Sequence, residues 1–132
     1  MNVVLFHFGR YDERQPDYPE KYPLYKKCYD SILKEFKDDN IYVIHNYVEL
    51  VQMFPTLKSS FVKPEHIEFF NRRSDLFRLD LIRALLTYHL QDMVYLDSDV
   101  YVYDGFKNYL ISEKQKQNKL LYFFFGHYVL FL

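Results

Sequence analysis

The most informative segment of the chain is Met93-Val94-Tyr95-Leu96-Asp97-Ser98-Asp99. Four consecutive apolar residues are typical of a short, fully buried strand. Two carboxylates follow at the point where such a strand meets solvent, and open α/β sheets bind their ligands at that end of the strands. Mg²⁺ and Mn²⁺ prefer oxygen ligands, commonly one or two carboxylates together with a substrate phosphate. The pattern therefore favours a metal diphosphate site at Asp97 and Asp99, although a simple turn would use the same residue types.

The segment before this strand, residues 74–90, has the pattern of a helix of about four turns. Ser74 is a suitable N-cap, and Asp75 suits the positively polarised first turn. The following apolar side chains recur at helical spacing: Leu79, Ile82, Leu86, Leu90. We therefore expect a helix that packs on the sheet and reverses through residues 91–92 into the strand.

Residues 74–99 resemble the sugar-binding region of GT-A glycosyltransferases that carry a DXD motif. The likeness is greatest to glycosyltransferase family 32, which comprises the capsular-polysaccharide synthesis proteins and their relatives. The shared features are Ser74-Asp75-x-x-Arg78 on the helix and the aliphatic-aromatic strand that ends in Asp97-Ser98-Asp99. The family's Gly-Gly turn is absent, and Gln91-Asp92-Met93 stands near its place. The resemblance covers about a fifth of the chain.

A second Asp-x-x-Arg, formed by Asp80 and Arg83, competes with Asp75 and Arg78 for the place beside the carboxylates. A helix rises ~1.5 Å per residue and a strand ~3.3 Å, so Asp80 and Asp97 are at similar distances, roughly 16 and 18 Å, from the turn. This geometry favours Asp80 and Arg83, whereas the Ser-Asp signature favours Asp75 and Arg78. We therefore keep both pairs as candidates and prefer Asp80 and Arg83.

The resemblance implies a mechanism and further site residues. The donor would be a nucleotide diphosphate sugar and the acceptor a saccharide or a lipid-linked molecule, with Mn²⁺ or Mg²⁺ as cofactor. Asp97 and Asp99 would bind the metal, and the Asp-x-x-Arg residues would bind the sugar and diphosphate. By position, the nucleotide-binding loop after the first strand corresponds to Phe8, Gly9, Arg10 and Tyr11.

The coarse order of elements predicts the fold class. Strands are expected at residues 3–8, 41–44 and 93–96, and helices at 24–36, 47–54 and 74–90. This order indicates a mostly parallel sheet covered by helices, and the resemblance makes it the GT-A-like (Rossmann-like) nucleotide-sugar-binding half. Residues 100–103 are expected to continue extended, and residues 113–119 to be a polar exposed segment. Family members run well past the Asp-x-Asp strand, so residues 1–132 are expected to form one domain that is incomplete at the C-terminus.

Composition limits the partners and the compartment. The formal net charge is −1, which offers no basic field for nucleic acid. Cys28 is the single cysteine, so no internal disulfide can form, and with no basic leader we expect a cytoplasmic protein. No Cys/His spacing typical of zinc is present. The apolar run at residues 120–132 is shorter than the ~20 residues of a membrane-spanning helix, and it is a candidate for a core strand, self-association or peripheral contact with the inner membrane face.

Two other functions remain open from the sequence. A phosphotransferase of the haloacid dehalogenase type also places Asp-x-Asp after a strand, but Tyr101 stands where that family has Thr or Val, and the motif lies late in the chain. A non-catalytic half-domain that binds nucleotide sugars is the other alternative.

Overall fold

The described residues form an α/β fold in which a small sheet lies between helices. The structure is a computed structural model that describes residues 1–60, 64–90, 92–117 and 130–131. The strands are β1 (Asn2–Phe6), β2 (Asn40–Ile44), β3 (Met93–Leu96) and β4 (Leu130–Phe131). The helices are α1 (Tyr18–Lys21), α2 (Pro23–Glu35), α3 (Tyr47–Met53), α4 (Pro64–Asn71), α5 (Asp75–His89) and α6 (Phe106–Gln117). Two 3₁₀ turns occupy Gly9–Tyr11 and Pro55–Ser60.

The sheet has the strand order β2-β1-β3-β4, and its first three strands are parallel. Asn2 is level with Asn40 of β2 and with Met93 of β3, so the three carboxyl ends lie at one edge. The short β4 pairs antiparallel to β3, with Phe131 opposite Val94. The prediction of a mostly parallel, helix-covered sheet is therefore confirmed.

Alternation along β1 supplies both faces of the sheet with core residues, because successive side chains of a strand point to opposite faces. Val3 and Leu5 pack with residues of α2 and α6, while Val4 and Phe6 pack with residues of α3 and α5. On the second face, Ile82 and Leu86 of α5 are almost fully buried, as their helical spacing predicted. Burying an aliphatic side chain of this kind contributes about 1.5–3 kcal/mol, which fixes α5 against the sheet.

Ser74 fixes the start of α5 as expected. Its hydroxyl accepts a hydrogen bond from the backbone N–H of Phe77 at 3.3 Å, and its own backbone is extended. This satisfies one of the amide groups that a helix N-terminus leaves without a partner. Asp92 then reverses the chain with a positive φ of 52°, a conformation that Asp tolerates better than most residues.

Several elements differ from the sequence prediction. Residues 113–117 were expected as an exposed polar segment; Gln115 and Lys116 are exposed, and these residues form the end of α6, which buries Leu110 fully. Residues 100–103 form no strand, and the backbone N–H of Val102 donates instead to the Ser31 hydroxyl at 2.9 Å. The helices α1 and α4 were not among the predicted elements, and β1 ends at Phe6 rather than at Phe8.

The apolar C-terminal run is described only at Leu130–Phe131, where it forms β4; residues 120–129 and 132 lie outside the described part of the chain. Among the described helices, none combines the length and the apolar character needed to cross a membrane. Self-association and membrane contact through this run stay predictions.

Candidate functional site

A pocket of about 440 Å³ opens at the carboxyl edge of the sheet. It lies between the ends of β1 and β3, where the strand order reverses because β2 lies on the other side of β1. Open α/β sheets bind their ligands in the crevice that such a reversal creates. The lining residues are Phe6, Phe8, Tyr11, Tyr25, Leu79, Arg83, Tyr95, Asp97, Ser98 and Asp99.

Both acidic residues of the Asp-x-Asp motif line this pocket. Asp97 directly follows β3, and the chain turns there, since the backbone N–H of Val100 donates to the Asp97 carbonyl at 3.2 Å. Asp97 Oδ1 accepts hydrogen bonds from the Tyr95 hydroxyl at 2.8 Å and from Arg83 Nη2 at 2.9 Å. Within the described part of the chain, no residue donates to Asp97 Oδ2 or to the carboxylate of the exposed Asp99. Three carboxylate oxygens are thus available to a ligand at the mouth of the pocket.

Arg83 reaches the same carboxylate from α5. Its guanidinium lies 4.2 Å from the centre of the Tyr95 ring and also donates to the Tyr95 hydroxyl at 2.8 Å. Its Nη1 donates to Asp80 Oδ1 at 3.0 Å, so the carboxylate of Asp80 holds Arg83 from the solvent side. Asp80 itself is 70% exposed and does not line the pocket. Of the favoured pair, Arg83 therefore lies in the pocket and Asp80 supports it.

Tyr95 is a neutral hydrogen-bond donor in this arrangement. It is almost fully buried, and burial, reinforced by the negative charge of Asp97, raises the pKa of its phenol well above the usual range. The hydroxyl therefore keeps its proton and fixes one oxygen of Asp97.

The other Asp-x-x-Arg pair is placed differently. The Arg78 guanidinium lies 4.6 Å from the centre of the Tyr47 ring, and Arg78 does not line the pocket. Asp75 begins α5, and its side chain lies outside the described part of the structure. Tyr47 in turn contacts Phe8 of the pocket lining, with ring centroids 5.0 Å apart.

The loop after β1 contributes an aromatic wall. Phe8 and Tyr11 line the pocket, and Gly9 between them has a φ of +61°, a conformation that favours glycine. The Arg10 side chain lies outside the described residues. Tyr25 of α2 completes the wall, with its ring centroid 4.8 Å from that of Tyr11. Sequence reasoning missed Tyr25, although a series of tyrosines at helical spacing leads through α1 and α2: Tyr18, Tyr22, Tyr25, Tyr29.

No family model, curated protein or solved structure matches this chain.

A second polar cluster lies at the same edge of the sheet, next to the ends of β1 and β2. Glu13 Oε2 is 2.8 Å from His7 Nδ1, and Glu13 Oε1 is 2.8 Å from His45 Nε2. Burial opposes ionisation of Glu13, but the hydrogen bonds from the two histidines outweigh it and lower its pKa to about 2. This cluster could not be predicted from the sequence, because Glu13 and His45 are 32 residues apart.

Proposed function

We propose that this protein is a metal-dependent glycosyltransferase of the GT-A type, which transfers a sugar from a nucleotide diphosphate sugar to a saccharide or lipid-linked acceptor. The observation that carries the proposal is the shared pocket of Asp97, Asp99 and Arg83 at the point where the strand order reverses. Two carboxylates and one guanidinium at that point suit a metal-bound diphosphate.

The donor set of the pocket fits a hard divalent cation. Asp97 Oδ2 and the Asp99 carboxylate are oxygen ligands without partners among the described residues, and Mn²⁺ and Mg²⁺ favour such ligands. Tyr95 and Arg83 hold Asp97 Oδ1, which orients the carboxylate as hydrogen-bonded neighbours of metal ligands commonly do. When bound, the cation would stabilise the negative charge that develops on the diphosphate leaving group.

Arg83 would bind the diphosphate or the sugar hydroxyl groups. A guanidinium presents several N–H donors in one plane, and this geometry suits phosphate oxygens. Its contacts with Asp80, Tyr95 and Asp97 hold it in position before a ligand arrives. Asp80 is exposed, and in this proposal its carboxylate positions Arg83 and does not contact the ligand.

The aromatic wall would hold the nucleoside or the sugar ring. Tyr11 and Tyr25 lie in contact on the pocket wall, with Phe8 nearby. Stacking of a base on an aromatic side chain is worth about 1–3 kcal/mol. The pocket volume of about 440 Å³ is also within the range of ~300–1,000 Å³ that small-molecule sites occupy.

Calorimetric titration with nucleotide diphosphate sugars, with and without Mn²⁺, tests this function. We expect the wild type to bind one class of donor only when Mn²⁺ is present. Asp97→Asn and Asp99→Asn should each weaken that binding at least tenfold, which corresponds to about 1.4 kcal/mol. Asp104→Asn is the matched control, because Asp104 is 81% exposed and pairs with Lys34 away from the pocket.

Affinity that does not depend on metal, or that is unchanged in both motif variants, would refute the proposal. Release of the nucleoside diphosphate, measured in the same samples, separates a working transferase from a module that only binds the donor.

A further inference from the structure

His45 and Glu13 meet at the carboxyl edge of the sheet, outside the pocket described above. His45 directly follows β2, and Glu13 comes from the loop after β1. His45 Nε2 lies 2.8 Å from Glu13 Oε1 and 3.8 Å from Asp12 Oδ1. One ligand atom from each of these three residues lies within 4.8 Å of the other two. Two ligands of a tetrahedral Zn²⁺, each about 2.1 Å from the ion, are about 3.4 Å apart. The separations of 2.8 and 3.8 Å from His45 Nε2 lie on either side of that value.

The surroundings of His45 and Glu13 match those of residues that bind metal. The second ring nitrogen, His45 Nδ1, lies 2.7 Å from Glu49 Oε2, and metal-binding histidines almost always donate their other N–H to a carboxylate, a carbonyl or water. Glu13 is supported in the same way, because its Oε2 lies 2.8 Å from His7 Nδ1. His45 and Glu13 therefore each have a partner that fixes their orientation.

Burial and charge favour a cation at this place. The side chains of His45 and Glu13 are only 9% and 12% exposed. Three carboxylates, from Asp12, Glu13 and Glu49, surround His45, while Arg14 supplies one positive charge by pairing with Asp12 and Glu49. With neutral imidazoles, two negative charges remain, and a divalent ion would balance them. Mixed imidazole and carboxylate ligands are those of Zn²⁺ and related transition metals rather than of Mg²⁺.

We propose that His45 Nε2, Glu13 and Asp12 form a binding site for a divalent transition-metal ion of the Zn²⁺ type, with Glu49 and His7 holding the ligands in place. The ion would replace the proton that otherwise lies between His45 and Glu13. This site would connect the end of β2 to the loop after β1, directly next to Tyr11 of the pocket wall. Its role is therefore to anchor that loop, and it does not depend on the proposed transferase function.

Titration of the metal-free full chain with Zn²⁺, in competition with a chromophoric chelator, tests the proposal. We expect one equivalent to bind, and His45→Gln and Glu13→Gln to weaken binding more than tenfold. Glu49→Gln, which removes the carboxylate that supports His45 and pairs with Arg14, should weaken it about 10–100-fold. Two matched controls should bind Zn²⁺ as the wild type does: His66→Gln, an exposed histidine of α4, and Asp99→Asn, a carboxylate of the other site.

Co²⁺ supplies a second measurement, because it should produce a visible absorption band that Zn²⁺ displaces and that His45→Gln abolishes. If His45→Gln fails to fold, Asp12→Asn takes its place in this test and should also lose the band. Asp12 is more exposed than the other two ligands, so its substitution disturbs the fold less. A wild type that binds no Zn²⁺, or equal affinity in the His45, Glu13 and His66 variants, would overturn the site and leave the cluster as a proton-bridged ion-pair network. Loss of Zn²⁺ in Asp99→Asn alone would assign the ion to the pocket instead.

Discussion

Arg83 Nη2 lies 2.9 Å from Asp97 Oδ1, which joins α5 to the carboxyl end of β3. Arg83 lines the pocket, whereas Arg78, one and a half turns earlier, packs on Tyr47. We therefore expect Arg83→Gln to weaken binding of a nucleoside diphosphate with Mn²⁺ at least tenfold, because it removes the only guanidinium found among the lining residues. Arg78→Gln should change the affinity less than about threefold. Calorimetry of both variants is the test, and equal losses would show that the two arginines have been assigned wrongly.

The Tyr95 hydroxyl is predicted to stabilise both the fold and the pocket. It donates to Asp97 and accepts from Arg83, and it is buried. Tyr95→Phe keeps the ring but removes these bonds, so the free energy of unfolding should fall by about 1–2 kcal/mol. Urea denaturation measures this change. Tyr101→Phe is the control, since Tyr101 is 53% exposed, and its unfolding free energy should stay within about 0.5 kcal/mol of the wild type.

Ser31 is predicted to hold the segment after the Asp-x-Asp motif. This buried hydroxyl donates to the Cys28 carbonyl at 2.6 Å and accepts from the Val102 N–H at 2.9 Å. Ser31→Ala leaves that N–H without its partner and should cost about 1–3 kcal/mol of unfolding free energy. Thermal or urea unfolding detects the loss, and Ser31→Thr, which retains a hydroxyl, tests whether the bond can be rescued. An unchanged free energy of unfolding in Ser31→Ala would mean that the segment does not need this hydrogen bond.

Gly9 is predicted to set the position of Tyr11. Its φ of +61° is unfavourable for other residues, although a side chain there would meet no atom within 4 Å. Gly9→Ala should therefore cost about 1 kcal/mol through backbone strain alone and should also weaken ligand binding. Gly105→Ala is the matched control, because Gly105 has a φ of +90°, has the same free space and does not line the pocket. It should lower stability without changing affinity, and an equal loss of affinity in both variants would contradict this role for Gly9.

The parts of the fold that could be predicted from the sequence are those with strong local signals. Met93–Leu96 is a continuous apolar run, and α5 combines a good cap with apolar side chains at helical spacing. Local signals were weak for α6, which has charged and amide side chains around most of its surface and buries Leu110 against the sheet. Its helical state depends on that tertiary contact, which the sequence pattern does not reveal.

The residues of the candidate site also divide into those that local sequence signals predict and those that they do not. The placement of Asp97 and Asp99 follows from their position after a buried strand, and helix and strand rises indicated that Arg83 would be level with Asp97. Tyr25 and the His45–Glu13 contact depend on how separate segments meet. No spacing rule relates a loop after the first strand to a histidine after the second, so the cluster becomes visible only in three dimensions.

Electron paramagnetic resonance of Mn²⁺ tests whether Asp97 and Asp99 hold a metal ion, because free Mn²⁺ gives a sharp signal that weakens when the ion binds. With a nucleoside diphosphate present, we predict that wild type and His45→Gln each bind one Mn²⁺ in the pocket and that Asp99→Asn loses this binding. If Asp99→Asn binds Mn²⁺ and nucleotide as the wild type does, Asp97 and Asp99 are not the metal site.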